Sequence, residues 1–509
     1  MTLRTSEQYL ESLRDDRTVY YAGERILDVT AHPAFGLRAR QIGEQYDNYN
    51  GLTSRLERGE EIRAWYEPPR DQAALLRFIE MESALPSAPH GAIMAGLAAL
   101  ELVARRADEE LGERYLPRIR QYREQFIRSD RHSCLAMTDA KGDRSKPPHR
   151  QADPDLWVRV VDRSAAGIII RGAKTSVSEG AITNEFLVLP THAMSPDDAD
   201  WSVACAVPAD APGVVMISNY VGTPWGERFR ADRPTTYNDF RHEVTVIFND
   251  VFVPWERVFL DGEFHLTRDV IRYFTTFHRT ATLTREPRDT QKLIGAAQLM
   301  ARYNGLEGTG QIKNTIAEMI ETAQLLDVLR FTALARTRIV EDVCVPDSVA
   351  CNLAALTSTR TRPGYLQFLC ELAGGPVLTA PSFLDLENPE TAAMVRKYYV
   401  GKDGVSAEQR LALVKYIYDI AASDSAGFLR ASSVTAAGSP SAKRMALTRD
   451  FDIDQCIGFV LGEIEGAVAG RSLHAGHASR PAAELLSADR VADLASRMLE
   501  LESAFDESQ

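Results

Sequence analysis

The periodicity of the chain changes twice, near residue 136 and near residue 265, and this order constrains the fold more than any single motif. Residues 1–135 repeat apolar side chains at helical spacing, and residues 136–264 carry short β-rich runs bounded by Gly, Pro, Asp and Asn. Residues 265–509 return to the helical pattern. We therefore predict an α+β protein with an N-terminal helical domain, a central β domain and a C-terminal helical bundle over these three ranges.

The net charge of −13 argues against sequence-independent binding to nucleic acid, which needs a basic surface. No window approaches the roughly 20 apolar residues of a membrane span, and the first residues lack the apolar core of a signal peptide. We therefore expect a cytoplasmic protein whose partners include neither nucleic acid nor membrane. The six cysteines form no C-x-x-C pair, so their spacing indicates reduced, mostly buried thiols and no metal site.

Two polar segments flank an apolar run that reads as a buried strand. The first is the glycine-bearing loop 137–145, and the second is 171–174, which follows the run 166–170. Loops with free backbone N–H groups and hydroxyls suit a flavin ring and its phosphates. Ordinary surface loops are the alternative that composition alone leaves open.

Several longer strings match one known superfamily. They are DVTAHPAF (28–35), TDAKGDR (138–144), RGAK (171–174), DVFVPWER (250–257), FHR (277–279) and AGSP (437–440). On these strings the chain resembles the 4-hydroxyphenylacetate 3-monooxygenase / 4-hydroxybutyryl-CoA dehydratase superfamily of flavoproteins. The first string is similar to the aromatic hydroxylases and the others to the dehydratases. The resemblance implies an acyl-CoA-dehydrogenase-like fold whose central domain is a β-barrel.

The dehydratase branch carries a four-iron cluster on three cysteines and one histidine. In this chain the stretch that corresponds to the first two cysteines, residues 83–92, contains no cysteine. His278 matches the histidine ligand, and Arg285 stands where the last cysteine falls. One ligand of four cannot hold a cluster. We therefore expect no metal and no iron–sulfur cluster.

The hydroxylase branch recognises its phenol through an Arg and a Tyr in an R-x-P-D-Y run, and this chain has Ser87-Ala-Pro-His-Gly there. The histidine that precedes the flavin loop in that branch has no clear counterpart, since His132 is near but out of register. The chain thus shows the flavin motifs of the family without the substrate residues of either branch. A hydroxylase that acts on a different substrate fits this combination best.

The resemblance also implies the site residues. The cofactor-binding candidates are Met137, Thr138, Lys141, Gly142, Asp143, Arg144, Lys174, Ser178, Thr183, Gly438 and Ser439. Gly438 and Ser439 belong to a segment that touches flavin across a subunit boundary in the family, although a helix-ending turn is a rival reading. The catalytic candidates are His278 and Arg279, with His90 as a further substrate contact. A lone histidine is more often structural, and the match of His278 to a family ligand position is what favours catalysis.

The leading functional hypothesis is the oxygenase component of a two-component flavin monooxygenase. The chain shows no nicotinamide-binding motif, so a separate flavin reductase would supply the reduced cofactor. We expect this cofactor to be FAD, in its reduced form FADH2, rather than FMN. Its other partners would be O2 and a small substrate, aromatic or carrier-bound. We also expect a homotetramer or homodimer. Two alternatives stay open: an acyl-CoA dehydratase- or isomerase-like enzyme without the cluster, and a catalytically inactive scaffold of the same fold.

Overall fold

The computed structural model describes residues 3–48, 53–55, 61–63, 67–84, 90–112, 114–219, 225–237, 241–435 and 438–468. The chain divides into two compact units, residues 1–447 and 448–509. Along the first unit, helices precede and follow a region rich in strands, as the periodicity predicts. The predicted α+β class is confirmed.

The strands build two main sheets. The described strands are β1 (Thr18–Tyr21), β2 (Glu24–Ile26), β3 (Thr53–Arg55), β4 (Glu61–Arg63), β5 (Ser133–Ala136), β6 (Arg159–Arg163), β7 (Gly167–Ser178), β8 (Glu185–Val188), β9 (Val203–Pro208), β10 (Val214–Ser218), β11 (Glu243–Pro254), β12 (Val258–Asp261), β13 (Arg338–Val340) and β14 (Val343–Val345). One sheet has the order β2-β1-β10-β11-β7-β6 and the other the order β12-β9-β8-β5. The pairs β3–β4 and β13–β14 form separate two-stranded sheets.

The predicted β-barrel is not found among the described strands, which form open sheets instead. The six-stranded sheet ends at β2 and β6, and the four-stranded sheet ends at β5 and β12. A barrel requires the first and last strands to pair with each other, and no such pairing closes either sheet in the described part of the chain. The six-stranded sheet also includes β1 and β2, which lie within the range that periodicity assigned to helices.

One core joins both sheets to the first helices. The described helices are α1 (Ser6–Glu11), α2 (Pro33–Asn48), α3 (Gln72–Ala84), α4 (His90–Leu111), α5 (Tyr115–Ser129), α6 (Thr267–His278), α7 (Thr280–Tyr303), α8 (Gly310–Ala335), α9 (Ser348–Ala373), α10 (Pro376–Thr379), α11 (Ala392–Tyr398), α12 (Ala407–Ala421), α13 (Asp424–Thr435), α14 (Pro440–Asp450) and α15 (Ile453–Val468). Tyr9 of α1 and Phe35 of α2 are buried with Phe186 of β8 and Phe248 of β11. The domain boundary at residue 136 stays a prediction, because α1 and α2 share the core of the central strands.

The long helices of the C-terminal part pack around a second core. Helix α7 contacts α8, α9 and α12, and α9 contacts α8 and α12. Leu293 and Met300 of α7 meet Met319 of α8, Leu369 of α9 and Ile417 of α12 in this core. Burial of such apolar faces is the main stabilising term for helices of this length.

In the second unit the structure describes residues 448–468, which comprise the end of α14 and the whole of α15. Ile457, Phe459, Val460 and Ile464 of α15 are exposed. None of the helices among the described residues is both long and apolar enough to span a bilayer.

Candidate active site

The loop that follows β5 is held from below by a buried ion pair. The Lys174 ammonium, on β7, donates to the backbone oxygens of Met137 (3.0 Å) and Leu189 (2.9 Å) and to the carboxylate of Asp139 (2.5 Å). The side chains of Lys174 and Asp139 are each 3% exposed. An ammonium has three N–H donors, and the protein accepts all three. Lys174, a predicted cofactor ligand, therefore anchors the loop and has no donor left for a flavin.

Asp139 keeps its charge in this buried position. Burial opposes its ionisation, but the Lys174 ammonium and hydrogen bonds from His192 and Thr191 together hold the pKa of its carboxyl below the usual value. His192 in turn stacks on Trp157, with 4.7 Å between ring centroids. The base of the loop is thus a fixed, charged unit.

The tip of the same loop is open to solvent. Lys141, Gly142, Asp143 and Arg144 are exposed. Gly142 has a φ of +51°, which favours glycine. Asp143 accepts from the backbone and hydroxyl of Ser145, and these hydrogen bonds lower its pKa to about 2. Arg144 makes no hydrogen bond or ion pair with another described residue, so its guanidinium is available to an anion.

Some backbone and hydroxyl groups near this loop already form hydrogen bonds within the protein. The Thr138 carbonyl accepts from the Thr175 N–H at 2.7 Å, while the Thr138 side chain is half-buried. Thr183 is fully buried, and its hydroxyl lies 3.1 Å from the carbonyl oxygens of both His132 and Glu185. Of the two threonines predicted to bind cofactor, Thr138 has a side chain that a ligand can reach, and Thr183 is enclosed by protein.

Ser178, at the end of β7, meets a carboxylate that sequence reasoning did not single out. Its hydroxyl donates to Glu243 at 2.8 Å. Burial raises the pKa of Glu243 to about 7, although the Ser178 hydrogen bond opposes this shift, and the nearby Glu179 adds to it. Glu179 is itself paired with Arg38 at 2.5 Å. The second carboxylate oxygen of Glu243 has no hydrogen-bond partner among the described residues, so this group can hold or release a proton near neutral pH.

The raised pKa of Glu243 predicts a pH-dependent effect on stability. Below its unfolded-state pKa, Glu243 is protonated in both the folded and the unfolded state. Between that pKa and about 7 only the unfolded state ionises, so the contribution of Glu243 to the free energy of unfolding falls as pH rises and is lost above about 7. Glu243→Gln should therefore gain about 1–3 kcal/mol of unfolding free energy relative to wild type between pH 5 and pH 8. Denaturant titrations at the two pH values test this, with the exposed Glu109→Gln as control. A difference between variant and wild type that does not change with pH would contradict the assigned protonation.

A second group of predicted residues meets at the junction of α6 and α7. His278 ends α6, and Arg279 lies between the two helices, 3% exposed. The guanidinium of Arg279 donates to the Asn352 side chain. Gly438 has a φ of +93°, and a Cβ atom there would lie 3.1 Å from Nη2 of Arg279. Ser439 is exposed, and its hydroxyl accepts from the N–H of Ala442 in the first turn of α14. Arg279 and Gly438, which lie 159 positions apart in the chain, are thus brought into contact.

His278 is neutral and surrounded by cations. Burial, followed by the positive charges of Arg279, Arg285 and Lys443, lowers the pKa of its imidazole to about 4. Its Nδ1 is buried without a hydrogen-bond partner among the described residues, and the Phe274 ring lies 5.2 Å from it, centroid to centroid. A neutral imidazole with a free nitrogen can accept a proton from a substrate hydroxyl.

Two further predictions concern His90 and the absence of a metal site. Helix α4 begins at His90, but the His90 side chain and residues 85–89 lie outside the described residues. Within the described ranges, no group of three or more His, Cys, Asp and Glu side chains has the geometry to hold a metal ion.

Comparison with known proteins decides the family. The sequence model of the 4-hydroxyphenylacetate 3-hydroxylase N-terminal region matches residues 5–260, and that of the C-terminal region matches residues 267–462. The chain belongs to the 4-hydroxyphenylacetate 3-hydroxylase family. The resemblance drawn from its motifs is thereby confirmed.

Relatives of this family member come from both branches. It is 27% identical to 4-hydroxybutyryl-CoA dehydratase/vinylacetyl-CoA-Δ-isomerase of Clostridium aminobutyricum, over 92% of this chain and 99% of that protein. It is 25% identical to the 4-hydroxyphenylacetate 3-monooxygenase oxygenase component of Thermus thermophilus, over 82% of this chain and 88% of that protein.

Solved structures agree on the fold. An oxygen-tolerant archaeal 4-hydroxybutyryl-CoA dehydratase from N. maritimus superposes with a TM-score of 0.80 at 26% identity, covering 92% of this chain and 96% of its own. The oxygenase component of 4-hydroxyphenylacetate 3-monooxygenase, complexed with FAD and 4-hydroxyphenylacetate, also gives a TM-score of 0.80, at 22% identity over 92% and 99% of the two chains. The family fold is therefore common to both chemistries, and the side chains of the site must distinguish them.

Proposed function

We propose that this protein is the oxygenase component of a two-component flavin monooxygenase that oxidises a small metabolite with reduced FAD and O2. The observation that carries the proposal is the environment of His278, the residue that corresponds to a cluster ligand of the dehydratases. The positive charges of Arg279, Arg285 and Lys443 all lower the pKa of His278. An iron ion bound to this imidazole would be repelled by three cations, whereas a neutral acid–base histidine suits the place.

The donor set of the central loop fits a flavin. Arg144 has a guanidinium without a partner among the described residues, and Thr138 has a half-buried hydroxyl. The Thr138 carbonyl accepts from the N–H of Thr175 on β7, the strand that ends at Ser178. When bound, reduced FAD supplies the two electrons with which one atom of O2 enters the substrate and the other leaves as water. A separate flavin reductase, as the two-component relatives' name implies, would deliver it.

The residues of the chain supply proton handling and orientation. His278, neutral at pH 7, accepts a hydrogen bond from a substrate hydroxyl and so raises electron density at the atom that is oxidised. Glu243, with a pKa of about 7 and a hydrogen bond from Ser178, gives a second group that exchanges a proton at neutral pH. The aromatic ring of Phe274 beside His278 provides an apolar wall for the substrate.

A dehydratase- or isomerase-like reaction on an acyl-CoA is the second candidate. The coverage of the Clostridium aminobutyricum dehydratase, 99% of its length at 27% identity, favours it. The cations around His278 weigh against the cluster that such a reaction uses in the relatives. Oxygen consumption separates the two candidates, since only the monooxygenase transfers an atom of O2 to its product, and a broad iron–sulfur band in the optical spectrum would indicate a dehydratase that carries the cluster.

We also propose a homodimer or homotetramer. Helix α15 carries several exposed apolar side chains, such as Phe459 and Ile464, and a contiguous exposed apolar patch commonly marks an interaction surface. The segment of Gly438 and Ser439 resembles one that reaches the flavin of a neighbouring subunit. Burial of α15 between subunits would remove these apolar side chains from water.

The test of the proposed function is flavin binding and oxygen use by the purified protein. We expect it to bind chemically reduced FAD more tightly than oxidised FAD, to contain no iron, and to consume O2 when reduced FAD is supplied. Anaerobic titration, metal analysis and an oxygen electrode measure these three properties. Stoichiometric iron with acid-labile sulfide would refute the monooxygenase.

A further inference from the structure

The connection between β10 and β11 carries a small lobe, residues 225–237. The two strands are antiparallel neighbours, and a hairpin loop between such strands normally needs only about two to five residues, far fewer than this connection has. The lobe is closed on itself, because the backbone N–H groups of Trp225 and Gly226 both donate to the carbonyl of Tyr237 at 3.0 Å. Long connections that fold back on themselves in this way are frequently functional.

Two ion pairs of opposite polarity hold the lobe on α12. The carboxylate of Asp232 in the lobe lies 3.1 Å from the ammonium of Lys415. Nη1 of the neighbouring Arg233 lies 3.7 Å from Asp419, which is one turn further along α12. The guanidinium of Arg233 also lies 4.7 Å from the centre of the Tyr418 ring. The charges of the lobe and of the helix are therefore complementary in their order along both segments.

Asp419 is the centre of this contact. The residue is fully buried, and its carboxylate accepts from the backbone N–H of Thr235 at 2.8 Å, from the Thr235 hydroxyl at 2.7 Å and from the Thr236 hydroxyl. These three donors all belong to the lobe, so the carboxylate loses them together if the lobe moves away. A buried carboxylate without its donors and its cation is costly, so a partly undocked lobe is disfavoured.

The strand ends on either side of the lobe meet beside the candidate flavin site. Asn219 directly follows β10, and Glu243 begins β11. The N–H of Glu243 donates to the side-chain oxygen of Asn219 at 2.8 Å, and the N–H of Asn219 donates to the carbonyl of Glu243 at 2.9 Å. The Glu243 carboxylate in turn accepts from the Ser178 hydroxyl. Because the lobe is inserted between Asn219 and Glu243, its position constrains both of them.

We propose that α12 is a latch for the 225–237 lobe and that Asp419, through the lobe, is a positioning residue for the end of the sheet that carries Ser178 and Glu243. Release of the lobe from Asp419 would loosen the hydrogen bonds between Asn219 and Glu243. A ligand that contacts this end of the sheet would, by linkage, favour the latched lobe. This last consequence rests on the proposed function, because it places the flavin beside Ser178.

Amide hydrogen exchange of the full-length protein, measured by mass spectrometry, tests the latch without flavin or turnover. In Asp419→Asn, we expect the lobe and the amides of Asn219 and Glu243 to exchange about 10- to 100-fold faster than in wild type, the scale of a lost charge-assisted hydrogen bond. Peptides from β8 should exchange at the wild-type rate, because the opening is local. Thr236→Val removes one donor from the lobe side and should give the same pattern with a smaller increase.

Asp424→Asn is the matched control. Asp424 also lies near Nη1 of Arg233, at 3.6 Å, but its side chain is 49% exposed, so this variant should change exchange in the lobe by less than about twofold. Unchanged exchange of the lobe in Asp419→Asn and Thr236→Val would overturn the proposal. So would faster exchange that stops short of Asn219 and Glu243, or a uniform increase along the whole chain, since Asp419 would then have no specific connection to the site.

A second arm repeats the exchange under anaerobic conditions with saturating reduced FAD. We expect bound FAD to slow exchange of the wild-type lobe severalfold, and we expect Asp419→Asn to bind FAD about 10-fold more weakly than Asp424→Asn does. FAD that binds all variants equally and leaves the lobe unchanged would refute the coupling between latch and cofactor. Failure of wild type to bind FAD at all would contradict the proposed function instead, while the flavin-free arm still decides whether Asp419 positions the strand ends.

Discussion

Replacement of His278 by alanine should lower product formation by about 10²- to 10⁴-fold, the usual range for a general acid–base group. Its imidazole is neutral at pH 7 because burial and the neighbouring cations hold its pKa near 4. Its buried Nδ1 has no hydrogen-bond partner among the described residues, as expected of a nitrogen that accepts from a substrate hydroxyl. Hydrogen peroxide released without product should rise, because electrons from reduced FAD would still reach O2. Rates of product, peroxide and O2 consumption together measure this.

Arg144→Ala gives the contrasting result. Its exposed guanidinium has no described partner, so its loss should weaken flavin binding by about 1.5–3 kcal/mol, the scale of a charge-assisted hydrogen bond. His278→Ala should leave flavin affinity close to that of wild type. Anaerobic titration of both variants with reduced FAD separates the two roles. A His278→Ala enzyme that is fully active and coupled would show that the histidine is structural and that the substrate side of the pocket lies elsewhere.

Loss of Lys174 should lower the free energy of unfolding by about 3–5 kcal/mol, because Lys174→Met leaves the carboxylate of Asp139 buried without its ion-pair partner. The three oxygens that now accept from the ammonium, including the carbonyl of Met137, would also lose a donor. Denaturant titration measures the change. Lys141→Met, in the exposed tip of the same loop, is the matched control and should change stability by less than about 0.5 kcal/mol.

The same variants decide between a structural and a cofactor-binding lysine. If Lys174 contacts flavin, as its motif implies, Lys174→Met would reduce flavin affinity with little loss of stability. Asp139→Leu combined with Lys174→Met should recover part of the lost stability, since removing both charges leaves no buried ion unpaired. A double variant as unstable as the single one would indicate that the carbonyl contacts, rather than the ion pair, hold the loop.

The order of helical and β segments and the family could be read from the sequence, because both are encoded locally. Apolar periodicity repeats within one element, so it predicts the helices of the C-terminal part without knowledge of their partners. Strings such as 138–144 and 250–257 are contiguous and therefore visible without a fold. Strand partners are not local. β1 pairs with β10 about 200 positions away, and the sequence of neither strand indicates the other. The sequence therefore did not predict that residues 18–26 of the largely helical N-terminal range join a sheet, and the predicted barrel is not confirmed.

The candidate site divides in the same way. The sequence by itself determined which polar groups the flavin loop carries, that Arg285 stands where a cluster cysteine would be, and that His278 and Arg279 are adjacent. Only the tertiary structure decided that the three N–H groups of the Lys174 ammonium donate to Met137, Asp139 and Leu189. It also decided that Arg279 contacts Gly438. It alone revealed Glu243 and Lys443. The proton affinity of a carboxyl or an amine depends on the water and charges around it, and those are supplied by residues far away in the chain.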